Sequence, residues 1–175
     1  MNDATTGTPL FVGSEPNRLV RSDNGQFLYV ALDGAAAVRR VDIASMTAGL
    51  QFAVGSGSFE GLFFVEDMEV SPGDPTVVAI SRKNSGFSPR HEGVAIYDNG
   101  VQRTNTTPDH TGSNVIEYSA SPGTLYGLNN ETTEFGFRKM AVTNAGVTVS
   151  QTTAGVVSGF GGNLQFDNGR VYFNG

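Results

Sequence analysis

The sequence has no cysteine, only two lysines, Lys83 and Lys139, and only two histidines, His91 and His110. Without cysteine there are no disulfides, thiolate metal sites or thiol nucleophiles, and the redox compartment leaves no mark on the chain. Acidic residues number 17 against 11 basic ones, a formal net charge of -6. Nucleic-acid binding normally needs a concentrated basic surface, so no nucleic-acid partner is expected. No stretch approaches the roughly 18 apolar residues of a membrane helix, so no membrane span is expected. The opening MNDATTGTPLFVG lacks the basic and apolar regions of a signal peptide. Catalytic signatures are also missing: there is no Gly-x-Ser-x-Gly elbow and no His-Glu-x-x-His. The glycine-rich Gly55–Gly61 has no lysine after it and leads into strand-forming residues, which excludes a phosphate loop.

What the chain has in quantity is glycine, 23 residues, alongside 38% hydrophobic and 16% charged residues. This composition suits many strands joined by tight turns and is too apolar for disorder. Four segments share an apolar, any, apolar, Ser-or-Asp pattern: Leu19–Ser22, Met68–Ser71, Ile116–Ser119 and Leu164–Asp167, with Arg21 breaking the second apolar column. Their starts lie 49, 48 and 48 residues apart, a period in the range of propeller blades. Each is followed, after a turn, by a β-branched or aromatic run: Phe27–Val30, Thr76–Ala79, Thr124–Gly127 and Arg170–Phe173. These are predicted strands A and B of successive blades.

Third strands are predicted over Ala37–Asp42, Gly93–Asp98 and Phe135–Val142, and weaker, more polar fourth strands over Leu50–Val54, Val101–Arg103 and Val147–Thr152. Asp-Asn-Gly occurs at Asp23, Asp98 and Asp167, each time between neighbouring predicted strands. Glycine accepts positive φ and Asx side chains bond their own backbone, so these read as hairpin turns. The other ligands of a calcium loop are missing. No segment carries a capped 3.6-residue apolar stripe, so helices should be absent or very short. The expected fold is all-β: one partial β-propeller of four-stranded antiparallel blades. A lone strand D falls at 8–14, blades at about 16–54, 65–107 and 113–152, and strands A and B at 162–174.

Blade one, Pro16–Leu19, Ser22–Ala31 and Val38–Asp42, resembles the YVTN-type β-propeller repeats of bacterial proteins, in which a Ser-Asp-Asn-Gly turn precedes a Leu-Tyr-Val strand. Leu125-Tyr126 and Val171-Tyr172 keep part of this pattern, whereas the second blade departs with Val77-Val78 and a long loop. The resemblance implies a propeller in an exported or cell-surface modular protein, hence an extracellular or surface location. It does not fix one activity, because such relatives include binding modules and lactonase-like enzymes.

Two constellations are candidate sites. In a propeller the D-to-A and B-to-C connections share one face. There the long second-blade loop Ser81–Glu92 places Arg90, His91 and Glu92, and the connection Thr104–Ser113 places Asp109 and His110. These five residues either form a rim for an anionic or hydroxylated ligand, or for a metal held by the two imidazoles, or are solvated loop residues. Replacing both histidines is expected to leave stability nearly unchanged. The second constellation lines the channel: Glu66, Asp67, Glu69, Asn114 and Glu117 occupy aligned positions of strand A. They would hold a cation, calcium or zinc, with carboxylate pKa values raised by mutual repulsion, or else bond the neighbouring blades. No other cofactor is expected. The leading functional reading is a ligand-binding, adhesion or structural module. The alternative is a lactonase-like or lyase-like hydrolase using loop histidine and inner carboxylates.

The run Thr8–Ser14 resembles Leu50–Ser56 and so reads as a strand D, while Asn163–Phe173 supplies only strands A and B before a turn at Asn174-Gly175. Either the segment continues in a longer propeller or two copies build composite blades, giving a dimer of about eight blades; one chain closing on itself as a four-bladed ring ranks below association, because so few blades demand strong curvature.

Overall fold

The computed structural model describes residues 7–110, 112–132 and 134–174. Gly175 and the first six residues therefore lie outside the described residues, and with them part of the expected turn at Asn174-Gly175. Strands β1 (Pro16–Arg21), β2 (Phe27–Leu32), β3 (Ala37–Asp42) and β4 (Thr47–Ala53) form one four-stranded antiparallel meander. A short hairpin, β5 (Ser56–Gly57) and β6 (Gly61–Leu62), leads to the second meander: β7 (Phe64–Val70), β8 (Val77–Lys83), β9 (His91–Asp98) and β10 (Val101–Gln102). The third is β11 (Val115–Tyr118), β12 (Thr124–Leu128), β13 (Phe137–Thr143) and β14 (Gly146–Thr153), and β15 (Asn163–Asp167) pairs with β16 (Arg170–Asn174). These are three whole blades and the first hairpin of a fourth, in the order the repeat predicts.

Alternation along each strand places successive side chains on opposite faces of a blade. In β8 and β9, Val78, Ile80, Ala95 and Tyr97 pack into a cluster with Tyr29, Val38 and Phe52 of the first blade. The other parity, Val77, Ala79, Val94 and Ile96, packs against Ile116, Leu125 and Met140 of the third. Both faces of the central blade are thus core, which is why β8 and β9 are apolar at consecutive positions. Each fully buried aliphatic side chain there contributes on the order of 1.5–3 kcal/mol of transfer free energy. Blades also bond at the channel side with the spacing of the repeat. Arg18 Nε donates to the Glu66 carbonyl (3.0 Å), the Ile116 amide to Asp67 Oδ2 (2.9 Å) and the Phe166 amide to Glu117 Oε1 (3.2 Å).

The Asp-Asn-Gly motifs are turns. Asn99-Gly100 and Asn168-Gly169 both take positive φ, with 46° and 82° in the first pair and 46° and 79° in the second. They join directly paired Asp98 and Val101, and Asp167 and Arg170. This is the two-residue hairpin that suits the strand twist.

Two expectations need correction. Residues 8–14 carry no strand. Leu10 and Val12 instead lie on the flank of the first blade against Val30, Leu32 and Val41. The reason is that the described residues offer this segment no strand C, since β4 already occupies the free edge of β3. Burial of its apolar side chains on the open flank is what remains. The second-blade loop is also shorter than Ser81–Glu92, because Lys83 pairs with His91 and extends the ladder from both sides. Backbone groups at so buried a position must be paired, and the ladder pairs them.

Candidate functional site

The connections at one end of the blades, residues 54–63, 84–90, 103–110, 112–114, 129–132, 134–136 and 154–162, form the face on which sequence places the rim. Beneath it lies a polar network that no single motif announces. Arg90 donates from Nε and Nη2 to Glu66 Oε1, at 2.8 and 2.6 Å. Asn114 Nδ2 donates to Glu66 Oε2 and to Glu131 Oε2, both at 3.1 Å, and Glu131 Oε1 accepts the Arg90 amide at 2.9 Å. Four side chains from the second and third blades therefore close one ring of charge-assisted bonds around the buried Glu66. Asn84 fixes the loop: its Oδ1 accepts the Gly86 and Phe87 amides, and its Nδ2 donates to the Arg90 carbonyl and, at 2.6 Å, to Glu92 Oε1.

The five rim residues divide. Arg90 joins Glu66 as described. His91 and Glu92 are buried strand residues of β9, not exposed loop residues, so the expectation that replacing His91 leaves stability unchanged is withdrawn. Ser81 Oγ donates to the Ser113 carbonyl at 2.8 Å and lies 3.4 Å from His91 Nδ1. Burial, reinforced by the charges of Arg138, Arg82 and His110, pushes the His91 pKa down to about 3, so the ring is neutral. The two histidines do lie together on one face, but through backbone: the His110 amide donates to the His91 carbonyl at 2.9 Å. Glu92 and Asp109 instead meet Glu60, with carboxylate oxygens within 4.8 Å of one another. Such an all-carboxylate set suits a hard cation better than zinc.

The channel cluster also divides. A register shift between Val65 and Asp67 places a bulge at Glu66, and a bulge re-aims its side chain. Glu66 and Asn114 thus belong to the network under the rim, not to the channel. Asp67, Glu69 and Glu117 remain in a cleft of about 480 Å³ that Arg18, Asn163 and Gln165 also line. Burial raises Asp67 to about 6 against the pull of the Ile116 amide and Arg18. Burial, with the carboxylates of Glu117, Asp67 and Asp23, drives Glu69 up to about 9, and burial likewise raises Glu117. For Asp67 and Glu117 the bonds to the next blade's amides are observed. Glu69 makes no side-chain hydrogen bond among the described residues.

Sequence reasoning missed Glu131, Asn84 and Glu60. A topological signal for one was present: Glu131 sits in the B-to-C loop of the third blade, as Arg90 does in the second.

No protein-family model matches the sequence, and no curated protein matches it. Among solved structures the chain is similar to hydrazine synthase of Kuenenia stuttgartiensis, with 15% identity, TM-score 0.62, and coverage of 86% of this chain and 39% of that one. It is also similar to the β-propeller domain of Cps50 (Swd1) from Myceliophteria thermophila, with 14% identity, TM-score 0.62, and coverage of 88% and 48%. A chain of a mitotic checkpoint complex shows 11% identity, TM-score 0.57, and coverage of 78% and 38%. The chain spans less than half the length of each. At these identities the likeness establishes the fold: the chain is a partial β-propeller. No helix of the described residues is long and apolar enough to cross a membrane.

Proposed function

We propose that the chain is a noncatalytic binding module of the YVTN-type propeller kind, from a bacterial exported or surface protein, and that it recognises its partner with the D-to-A and B-to-C face. One observation carries this reading. The loops of that face hold Phe59, Phe87 and Phe160 at 86%, 49% and 68% exposure, and Asn84 braces the loop that carries Phe87. Exposed aromatic side chains are the usual anchors of an interface, because they bring contact area at low entropic cost. Several side chains a hydrolase could use are employed otherwise: Arg90 holds Glu66, Glu92 holds Asn84, Asp67 and Glu117 each accept an amide of the next blade, and His91 is buried. The bacterial surface setting rests on the resemblance of blade one. Panning a random dodecapeptide library on the immobilised chain tests the reading. Enriched peptides are expected to bind the Phe59→Ser/Phe87→Ser/Phe160→Ser variant at least tenfold more weakly, with its thermal midpoint nearly unchanged. Peptides that bind the variant as well as the wild type, or a library that yields none, would refute it.

The propeller is completed by further blades or by a second copy. The open edge of β16, which among the described residues pairs only with β15, and its half-exposed Tyr172 support this, since unpaired strand edges favour association. For this chain alone, light scattering at micromolar concentration is expected to give twice its mass of 18.4 kDa. A folded monomer would dismiss self-association.

A further inference from the structure

Between the first and second blades, on the same face, runs a groove of about 560 Å³, within the usual range for ligand sites of roughly 300–1,000 Å³. Its walls have opposite sign. The first blade supplies Glu15 and Asp33, and the second supplies Lys83, Arg90 and Phe64. Arg90 is tied to Glu66. Among the described residues Glu15, Asp33 and Lys83 belong to no ion pair. Opposite charges thus line one groove without closing on each other, which leaves their fields available to a dipolar occupant. The walls are also held in place. Asp33 Oδ2 accepts the Asn17 side-chain amide at 3.1 Å, and its own amide donates to the Glu15 carbonyl at 3.0 Å. On the other side Asn84 braces the loop that carries Ser85 and Arg90.

Resting on the binding-module reading, we propose that this groove takes an extended peptide segment with adjacent residues of opposite charge, its cation on Glu15 and Asp33 and its anion on Lys83 and Arg90. Successive side chains of an extended segment point in opposite directions. A Lys-Glu or Glu-Lys step therefore presents one charge to each wall while its backbone lies over Phe64. A segment with two like charges places one of them against a wall of its own sign, and that repulsion discriminates against it.

The test uses four fluorescein-labelled peptides, capped at their free ends and alike in Gly-Ser flanks, with Lys-Glu, Glu-Lys, Lys-Lys or Glu-Glu at the centre. Fluorescence anisotropy is read on the whole chain at low salt. At least one dipolar peptide is expected to bind tenfold or more tightly than both like-charged ones. Lys83→Glu should move the preference to Lys-Lys, and Glu15→Lys/Asp33→Asn should move it to Glu-Glu, each by about tenfold. Circular dichroism of both variants checks that they fold, as these side chains are exposed or half-buried. Like-charged peptides that bind the wild type as tightly, no binding by any of the four, or variants that leave the ranking unchanged would overturn the proposal. If library peptides still depend on Phe59, Phe87 and Phe160 while ignoring the charge variants, the groove fails and the binding module stands. If no library peptide depends on those aromatics, both fail.

Discussion

Replacing Glu69 with glutamine is expected to stabilise the fold by about 3 kcal/mol at pH 7, the gain rising toward about 6 kcal/mol above pH 9 and vanishing below about pH 4.5. Asp67, Glu69 and Glu117 fall on one channel-facing track because the repeat places strand A of each blade beside the next. Asp67 and Glu117 each receive an amide of the following blade, but Glu69 makes no such bond and faces both of them. Burial and then the repulsion of Glu117, Asp67 and Asp23 hold its pKa at about 9, against 4.5 for a free side chain. In the fold the carboxyl keeps its proton at neutral pH, whereas the unfolded chain releases it above pH 4.5. That release favours unfolding, so the wild type is most stable below the unfolded value and loses this contribution as pH rises through 9. Glutamine has nearly the same shape and no proton to lose, so the variant escapes the penalty. Urea unfolding followed by circular dichroism at pH 4.5, 7 and 9 measures the difference. A variant no more stable than the wild type at pH 9 would show that Glu69 is solvated or neutralised in the channel.

The architecture was legible because a propeller repeats one solution: each blade buries both faces in the same way, and the 48-residue spacing survives even where side chains differ. Strands and turns set by local alternation and by Asn-Gly pairs emerged close to their observed bounds. What periodicity cannot carry is the identity of a partner across blades. Glu66 aligned with the channel column, yet a bulge turns it to Arg90, and a one-residue irregularity in pairing leaves no trace in the apolar pattern. His91 read as a loop residue because it follows Ser88-Pro89-Arg90, which looks like turn sequence. Pairing of Lys83 with His91 carries the sheet two residues further and buries the imidazole. The Thr8–Ser14 run carried a strand-like pattern, but a strand needs a neighbour, and the described residues provide only a flank. Of the rim, proximity was readable from topology: His91 and His110 do meet. Their chemistry was not, since burial decides whether an imidazole is a ligand, a base or a neutral core group.

Between pH 7 and pH 4 the wild type is expected to lose about 3 kcal/mol of stability relative to His91→Gln, because only the wild type has an imidazole to protonate at this site. His91 is fully buried, and its Nε2 finds no hydrogen-bond partner among the described residues. Ser81 Oγ gives its proton to the Ser113 carbonyl, so the weak contact at His91 Nδ1 is one in which the ring donates. That leaves Nε2 as the bare acceptor. A proton added there would create a cation without a counter-ion, and the charges of Arg138, Arg82 and His110 already oppose it. The folded ring therefore titrates near 3, whereas the unfolded one titrates near 6.5. Its contribution is fully present above pH 6.5 and is lost progressively as pH falls toward 3, as protons bind the unfolded chain first. The carboxyls of Glu69 and Asp67 act in the opposite direction over the same range, since their folded pKa values are raised. Absolute stability against pH therefore mixes two trends. The difference between wild type and His91→Gln removes the carboxyl terms, which both proteins share. Urea midpoints at pH 7, 5.5 and 4 should converge or cross in favour of the variant as pH falls. Parallel curves would mean that the folded chain accepts the proton on His91 without penalty, through a water path or a nearby carboxylate, and that the imidazole is an accessible group of the rim after all.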